Sequence, residues 1–415
     1  MGMLSYRYGY TENGKNVMNE WLQKLVMVLA LLMLSAPALA AAADNETNAR
    51  FLVLSDIHFD PFASCKSPKK TPCPLVSMLR SASVEEWSRL LASRDTKAPV
   101  YRQDTSYPLL VSALREAKSA AAKQGAQFVL ILGDFISHDF RGEYKRYSAD
   151  ASRVGYESFV KKTLTFLTQE IEAAFPDIDV YMVVGNNDSY RRNYYSNPNG
   201  PFFTQMAVQW SHLIKTSQNR AAMRNSFSTA GYYAVTLPDD PSMRLLVLNT
   251  VLFSNKAVGV DVPQAAAKEL KWLHEELETA RKNQQRVLIA MHIPEGIDIY
   301  TSIRIRLIRV AELWQPVYSQ QFQAELKQYA PNIAGILAGH LHANWFHLLR
   351  FENLNDVPFL GTTSISPIYG NDPGFSIYQY SDATGQLNDF IRYSYPLNSK
   401  QWTFSLRKSK TPVLF

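Results

Sequence analysis

Six short apolar runs recur along this chain, and each stops at a polar side chain. They are "RFLVLSD" (50–56), "QFVLILGD" (127–134), "DVYMVVGN" (179–186), "MRLLVLNT" (243–250), "RVLIAMH" (286–292) and "IAGILAGH" (333–340). Runs of this length, bounded by glycine or small polar residues, read as buried strands. Between them lie segments whose apolar residues are spaced by three and four. One is "DTSYPLLVSALREAKSAAAK", with Asp104 as the expected cap, and another is "PQAAAKELKWLHEELETARK", which opens on Pro263. Strand and helix in alternation predict an α/β protein with largely parallel strands. After about residue 345 the pattern shifts to shorter strands and turns, as in "FLGTTSISPIYGNDPGFSIYQY", expected to close a second sheet against the first. No repeat, low-complexity tract or linker interrupts residues 45–415, so a single domain is expected over 41–415. The stretch from Phe59 to Gln103 follows no clear pattern and is a candidate functional loop.

Open α/β sheets hold their ligands at the carboxyl ends of strands. Five of the six runs end in residues that ligate metals: Asp56 with His58, Asp134, Asn186, His292, and His340 with His342. Of eight histidines, five (His58, His138, His292, His340 and His342) lie in such exits. A lone histidine at a strand end is more often hydrogen-bonded within the fold than a ligand. Five that converge with two aspartates and an asparagine are better read as a site. Side chains two apart on an extended segment point the same way, so Asp56 and His58 are expected to grip one ion together, as are His340 and His342. The donors are nitrogen and oxygen with no thiolate, a set that suits zinc, manganese or iron. Seven candidates exceed what one catalytic ion takes, whereas a bridging carboxylate lets two ions fit. Two ions roughly 3.5–4 Å apart form the clamp used in phosphate-ester hydrolysis.

In chain order, "DIH", "GDFISHD", "GNND", "MH" and "GHLH" resemble the five motifs of the calcineurin-like metallophosphoesterases. The resemblance implies a four-layer α/β/β/α sandwich of two mixed sheets. His138 four residues after Asp134, "IPEG" after His292, and "SPIYGNDPGFSIY" are similar to the acid sphingomyelinase-like phosphodiesterase branch. The "GNND" form resembles the fungal endopolyphosphatases of that branch. Carried over, the resemblance implies one ion on Asp56, His58, Asp134 and His342. A second ion falls to Asp134, Asn186, His292 and His340, with a metal-bound hydroxide as nucleophile. Asn187 stands where the family more often has a histidine that contacts phosphate and protonates the leaving group. An amide donates a hydrogen bond but transfers no proton, so the acid role is expected of His138. Asp60 and Asp188 are expected to orient a ligand or cap a turn. The implied reaction is hydrolysis of a phosphodiester, in a sphingomyelin-like lipid or a nucleotide. Cleavage of a phosphoanhydride such as polyphosphate, and a secreted binding protein that has lost catalysis, are the alternatives.

Residues 1–40 read separately. "LVMVLALLML" (25–34) is too short to span a bilayer, follows Lys24 and leads to "SAPALA". This is the pattern of a secretory signal peptide starting at Met18 and cut after Ala40, so a secreted or periplasmic protein is expected. Its removal leaves 40 basic and 35 acidic residues, a net charge of +5. That balance suits a small anionic substrate and is too scattered for a nucleic-acid duplex. Cys65 and Cys73, in "SCKSPKKTPC", are expected to pair as a disulfide in an exported protein. Arg191 and Arg192 are candidates for holding an anionic group or for a solvated turn. "SIRIRLIRV" (302–310) reads as a solvated face or as a lip facing substrate or membrane. Tyr369 and Phe375 are candidates for lining a pocket. The oligomeric state is open.

Overall fold

A computed structural model describes residues 48–66, 71–304, 310–352 and 354–406. The signal-peptide segment lies outside the described residues, as does most of "SIRIRLIRV". The first strands are β1 (Asn48–Leu54), β2 (Phe128–Ile131), β3 (Asp179–Met182) and β4 (Tyr195–Ser196). They are followed by β5 (Tyr233–Leu237), β6 (Asp240–Val247), β7 (Val258–Gly259), β8 (Arg286–Met291) and β9 (Ile333–Ala338). The tail adds β10 (Trp345–Leu349), β11 (Val357–Gly361), β12 (Gly374–Ser381), β13 (Leu387–Ser394) and β14 (Thr403–Leu406).

Two six-stranded sheets form, in the orders β14-β13-β12-β1-β2-β3 and β10-β11-β9-β8-β6-β5. Both are mixed. β1, β2 and β3 run parallel while β12 pairs antiparallel with β1. β6, β8, β9 and β11 run parallel while β5 and β10 close the edges antiparallel.

The layering follows from strand pleat, which sends successive side chains to opposite faces. Leu245, Val247, Leu288 and Ala290 of β6 and β8 join the core that contains Phe51, Val53 and Leu130 of the other sheet. Their neighbours Leu246, Val287, Ile289 and Met291 face outward onto Leu270, Leu273 and Phe322, from the helices Val262–Lys282 and Pro316–Tyr329. The helix Tyr107–Gln124 covers the first sheet at β1 and β12, and Arg153–Ala174 packs beside it. The result is helix, sheet, sheet, helix. Among the described residues no helix is long and apolar enough to cross a membrane.

All six apolar runs form strands of these sheets, and three local expectations change. The tail strands do not all close the second sheet: β10 and β11 extend it, whereas β12 to β14 extend the first. The stretch after Phe59 is partly helical, with Pro74–Ser81 and Trp87–Arg94 anchored by buried Leu79, Trp87 and Leu91. Cys65 and Cys73 form a disulfide there, with Cα atoms 5.7 Å apart. Asp104 is not a helix cap. The helix begins at Tyr107, whose backbone N–H donates to Asp95 at 2.9 Å, because the Asp104 carboxylate is bound elsewhere.

Candidate metal centre

Each parallel strand stops short of its polar residue, and the chain then turns sharply. Asp56, His58, Asp134, His340 and His342 all lie in the left-handed region, with φ of 49°, 43°, 56°, 68° and 54°. A non-glycine residue held there costs of order 1 kcal/mol or more, and such strain gathers at functional sites. This corrects the expected geometry of the two pairs. Asp56 and His58 lie beyond the end of β1, and His340 and His342 beyond the end of β9. The left-handed turns, not strand alternation, bring each pair onto one cluster. Two glycines make room for it. A Cβ on Gly185 would stand 2.2 Å from the Asp134 backbone nitrogen, and one on Gly339 would stand 2.2 Å from Ser55 Oγ.

The structure brings the expected ligand side chains together. His58 Nε2 is 3.4 Å from Asp134 Oδ2 and 3.7 Å from Asp56 Oδ1. On the other side, His292 Nε2 is 3.2 Å from the same Asp134 oxygen and 3.1 Å from Asn186 Oδ1. His342 Nε2 lies 3.3 Å from Asp56 Oδ1, and His340 groups with Asp134 and His292 within 4.8 Å. The rings are aimed by their other nitrogens. His58 Nδ1 bonds the Ile136 carbonyl at 3.0 Å, and His292 Nδ1 bonds that of Leu132 at 2.6 Å. Such bonds turn Nε2 inward, as metal-ligating histidines require. Asn186 Nδ2 donates to Asn193 Oδ1 at 2.8 Å, so its amide oxygen faces the cluster.

Charge at the cluster is unbalanced in the direction a cation corrects. Asp56 and Asp134 are almost completely buried, and their ion-pair partners among the described residues are histidines alone. Burial pushes the Asp134 carboxyl up, but the charges of His292 and His58 outweigh it and hold it well below the usual range. Burial pushes His292 down, yet Asp134 draws it up to about 9. Burial and neighbouring His292 push His340 down to about 3. His58 Nε2 is buried without a hydrogen-bond partner and faces the carboxylates of Asp56 and Asp134. Buried carboxylates and imidazoles packed this closely fit divalent cations, which would supply the positive charge that protons on the histidines otherwise provide.

The sequence model of the family described as calcineurin-like phosphoesterase matches residues 49–344, the span from β1 to the last of these turns. The chain belongs to that family. Its members are hydrolases of phosphoric ester bonds that work through a dinuclear metal site. Relatives include the acid sphingomyelinase-like phosphodiesterase 3b of Mus musculus, 24% identical over 83% of this chain and 70% of that protein. The sphingomyelinase phosphodiesterase C of Dictyostelium discoideum is 24% identical over 71% of this chain and 63% of its own length. The cyclic GMP-AMP phosphodiesterase SMPDL3A of Mus musculus is 21% identical over 86% and 73%.

In this phosphoesterase the remaining candidates take distinct places. His138 stacks on His58 with ring centroids 3.9 Å apart. Its Nδ1 and backbone N–H both bond Asp104, at 3.0 and 2.8 Å, which is why that carboxylate caps no helix. Burial lowers the His138 pKa, but the hydrogen bond and charge of Asp104 prevail and raise it above the ordinary value. Asn187 is not turned toward open solvent. Its Nδ2 donates to Asp134 Oδ2 at 2.8 Å and its backbone N–H to Oδ1 at 2.7 Å, because a buried carboxylate is the strongest acceptor in reach. Asp188 accepts the backbone N–H groups of Asp134, Phe135 and Gly185 and so pins the second motif to the third. Asp60 caps Phe62 and pairs with Lys66 at 2.6 Å.

Tyr369 is half exposed and stands edge-on to His342, centroids 4.8 Å apart. Phe375 is fully buried and stacks on Tyr393, so it belongs to the core. Arg191 pairs with Glu157 at 3.6 Å, while Arg192 lines a cavity. Sequence reasoning misses Asp104 as a partner of His138 and Asn193 as a partner of Asn186. Asp104 carries a misleading signal, since an acidic residue before an apolar helix reads as a cap. For Asn193 the sequence offers no signal.

Proposed function

We propose that this chain is an exported phosphodiesterase acting on a small anionic substrate, a nucleotide or a sphingomyelin-like lipid. The observation that carries the reading is Asp134 Oδ2, placed 3.4 Å from His58 Nε2 and 3.2 Å from His292 Nε2, one oxygen shared between two ligand groups. In this reading Asp56, His58, Asp134 and His342 hold one ion, and Asp134, Asn186, His292 and His340 hold the other. The donor set favours zinc, with manganese or iron as alternatives. When bound, the ions neutralise phosphoryl charge and activate water. The names of the relatives support a phosphodiester as the bond cleaved. The complete donor set weighs against a binding protein without catalysis.

His138 supplies the proton for an alkoxide leaving group, and Asp104 positions it by holding Nδ1, which leaves Nε2 to carry the exchangeable proton. A raised pKa extends to higher pH the range over which His138 holds this proton, which it loses as the pH rises further. Asp104→Asn keeps an acceptor but removes the charge. Turnover of an alkyl ester should then fall roughly tenfold or more at neutral pH, and the alkaline limb of its pH profile should move to lower pH. A pH profile that keeps the wild-type limb would refute the role of Asp104.

The reading as a whole is tested by turnover of bis(4-nitrophenyl) phosphate after metal removal and reconstitution. No turnover by fully reconstituted protein would sink it. Export is supported by the disulfide, since such bonds persist in oxidising compartments. Mature protein should begin near Ala41 and lack free thiols, as intact mass before and after alkylation would record. A chain retaining residues 18–40 would count against export by signal cleavage.

A further inference from the structure

The chain leaves the ligand Asn186 and returns to it at Tyr194, whose backbone N–H donates to the Asn186 carbonyl at 2.7 Å. The Val258 N–H donates in turn to the Tyr194 carbonyl at 3.0 Å. Closing this loop holds Tyr194 in the left-handed region, with φ of 60°. A bulky aromatic residue is rarely found there, and the strain persists only where the surrounding structure imposes it, as at functional sites. The ring stands edge-on to the ligand His340, centroids 6.5 Å apart, and Lys256 Nζ lies 5.6 Å from its centre. Lys256 is itself held by Asp298 at 3.1 Å. Two neighbours therefore fix a strained tyrosine against the metal-ligand cluster.

The hydroxyl is the unusual part. Phenols buried or half-buried elsewhere donate to a neighbour: Tyr181 to Asp179 at 2.9 Å, Tyr233 to the Met182 carbonyl at 3.0 Å, and Tyr190 to Gln205 at 2.7 Å. The Tyr194 hydroxyl has no hydrogen-bond partner among the described residues, although the side chain is partly buried. A phenol in such a place is normally bonded, and a ligand oxygen would satisfy it. In the same loop Asn187 and Ser189 direct their donors inward, to Asp134 and to the Arg192 carbonyl. Burial and the nearby charges of Asp134 and Asp298 raise the Tyr194 pKa, so the phenol keeps its proton and remains a neutral donor.

We propose that the Tyr194 hydroxyl donates a hydrogen bond to a non-bridging oxygen of the scissile phosphoryl group, as a substrate-contacting residue of this site. The proposal rests on the phosphoesterase reading above and adds a residue to it. A donor on an anionic oxygen makes a charge-assisted bond, and it accelerates the reaction when charge grows on that oxygen. Position separates this role from that of the acid. His138 groups with His58 and His342, whereas Tyr194 stands at His340, which groups with Asp134 and His292. The hydroxyl keeps its proton throughout, so no proton transfer is assigned to it.

Tyr194→Phe tests this, because it keeps the ring and its contact with His340 and removes only the hydroxyl. The metal-loaded variant is compared with wild type on bis(4-nitrophenyl) phosphate and on an alkyl phosphodiester. Both substrates share the phosphoryl group, so kcat/KM should fall about tenfold or more on each, to the same extent. Binding of inorganic phosphate, read by calorimetry, should weaken by about tenfold. Metal content and thermal unfolding should match wild type.

Turnover and phosphate binding within about twofold of wild type would overturn the proposal. A loss confined to the alkyl ester would overturn it too, since the hydroxyl would then serve the leaving group. A loss accompanied by missing metal would show that Tyr194 acts only through His340, and the contact with substrate would fall. If the wild-type chain cleaves neither diester, the phosphoesterase reading falls separately and phosphate binding decides alone. Weaker binding in the variant then supports the contact, and equal or absent binding overturns it.

Discussion

Asp134→Asn is expected to lower turnover of a nitrophenyl phosphodiester by on the order of a thousandfold or more, the scale of losing several kcal/mol of metal-derived stabilisation. The purified variant should also be short of both ions. Asp134 is the residue whose single oxygen faces both His58 and His292, so neutralising it weakens two ligand groups at once. The amide replacement is nearly isosteric but cannot repeat the native pattern. Asp134 accepts from the Asn187 backbone through one oxygen and from Asn187 Nδ2 through the other. An asparagine would present an NH₂ group to one of those donors. Metal content, steady-state turnover and thermal unfolding of the variant together decide the matter. A folded variant with two ions and near-normal turnover would end the two-metal scheme.

His138→Ala should slow phosphodiesters with alkyl leaving groups by roughly a hundredfold or more, the usual scale of general acid catalysis. Nitrophenyl esters, whose leaving group departs without help, should change by less than about threefold by the same reasoning. The contrast matters because His138 also packs face to face with His58, and its loss could disturb a ligand. A disturbed ligand would depress both substrates alike. Asn187→His is expected to shift the ratio the other way, toward alkyl esters. The quantity to measure is turnover on an alkyl and a nitrophenyl diester in wild type and both variants. An equal loss on both in His138→Ala would leave that residue a phosphate-binding group and remove the acid assignment.

Much of the fold is legible from local pattern. The runs that become β1, β2, β3, β6, β8 and β9 are apolar, of strand length and cut off by polar residues, and burial on both faces is what such composition requires. The edge strand β5 is not picked out, because its residues alternate between buried and partly exposed positions and its partner lies across a hairpin. Nor does the pattern reveal which sheet each tail strand joins. Residue type alone makes both β10 and β12 short strand candidates, and pairing with β11 or β1 decides which sheet each joins.

The same division holds at the centre. By itself the sequence determined which side chains could serve: two aspartates, an asparagine and four histidines, each placed just after a buried strand. Strand ends are set by local composition, and a parallel sheet delivers its carboxyl ends to one edge, so proximity follows from order along the chain. The tertiary structure alone decided how those side chains are aimed. Left-handed turns at Asp56, His58, Asp134, His340 and His342, carbonyls holding His58 and His292, and Asp104 holding His138 across 34 residues all depend on packing between distant segments. Packing decides them because a left-handed backbone or a ring tautomer carries little local preference, and its cost is met only when the whole surrounding structure constrains it.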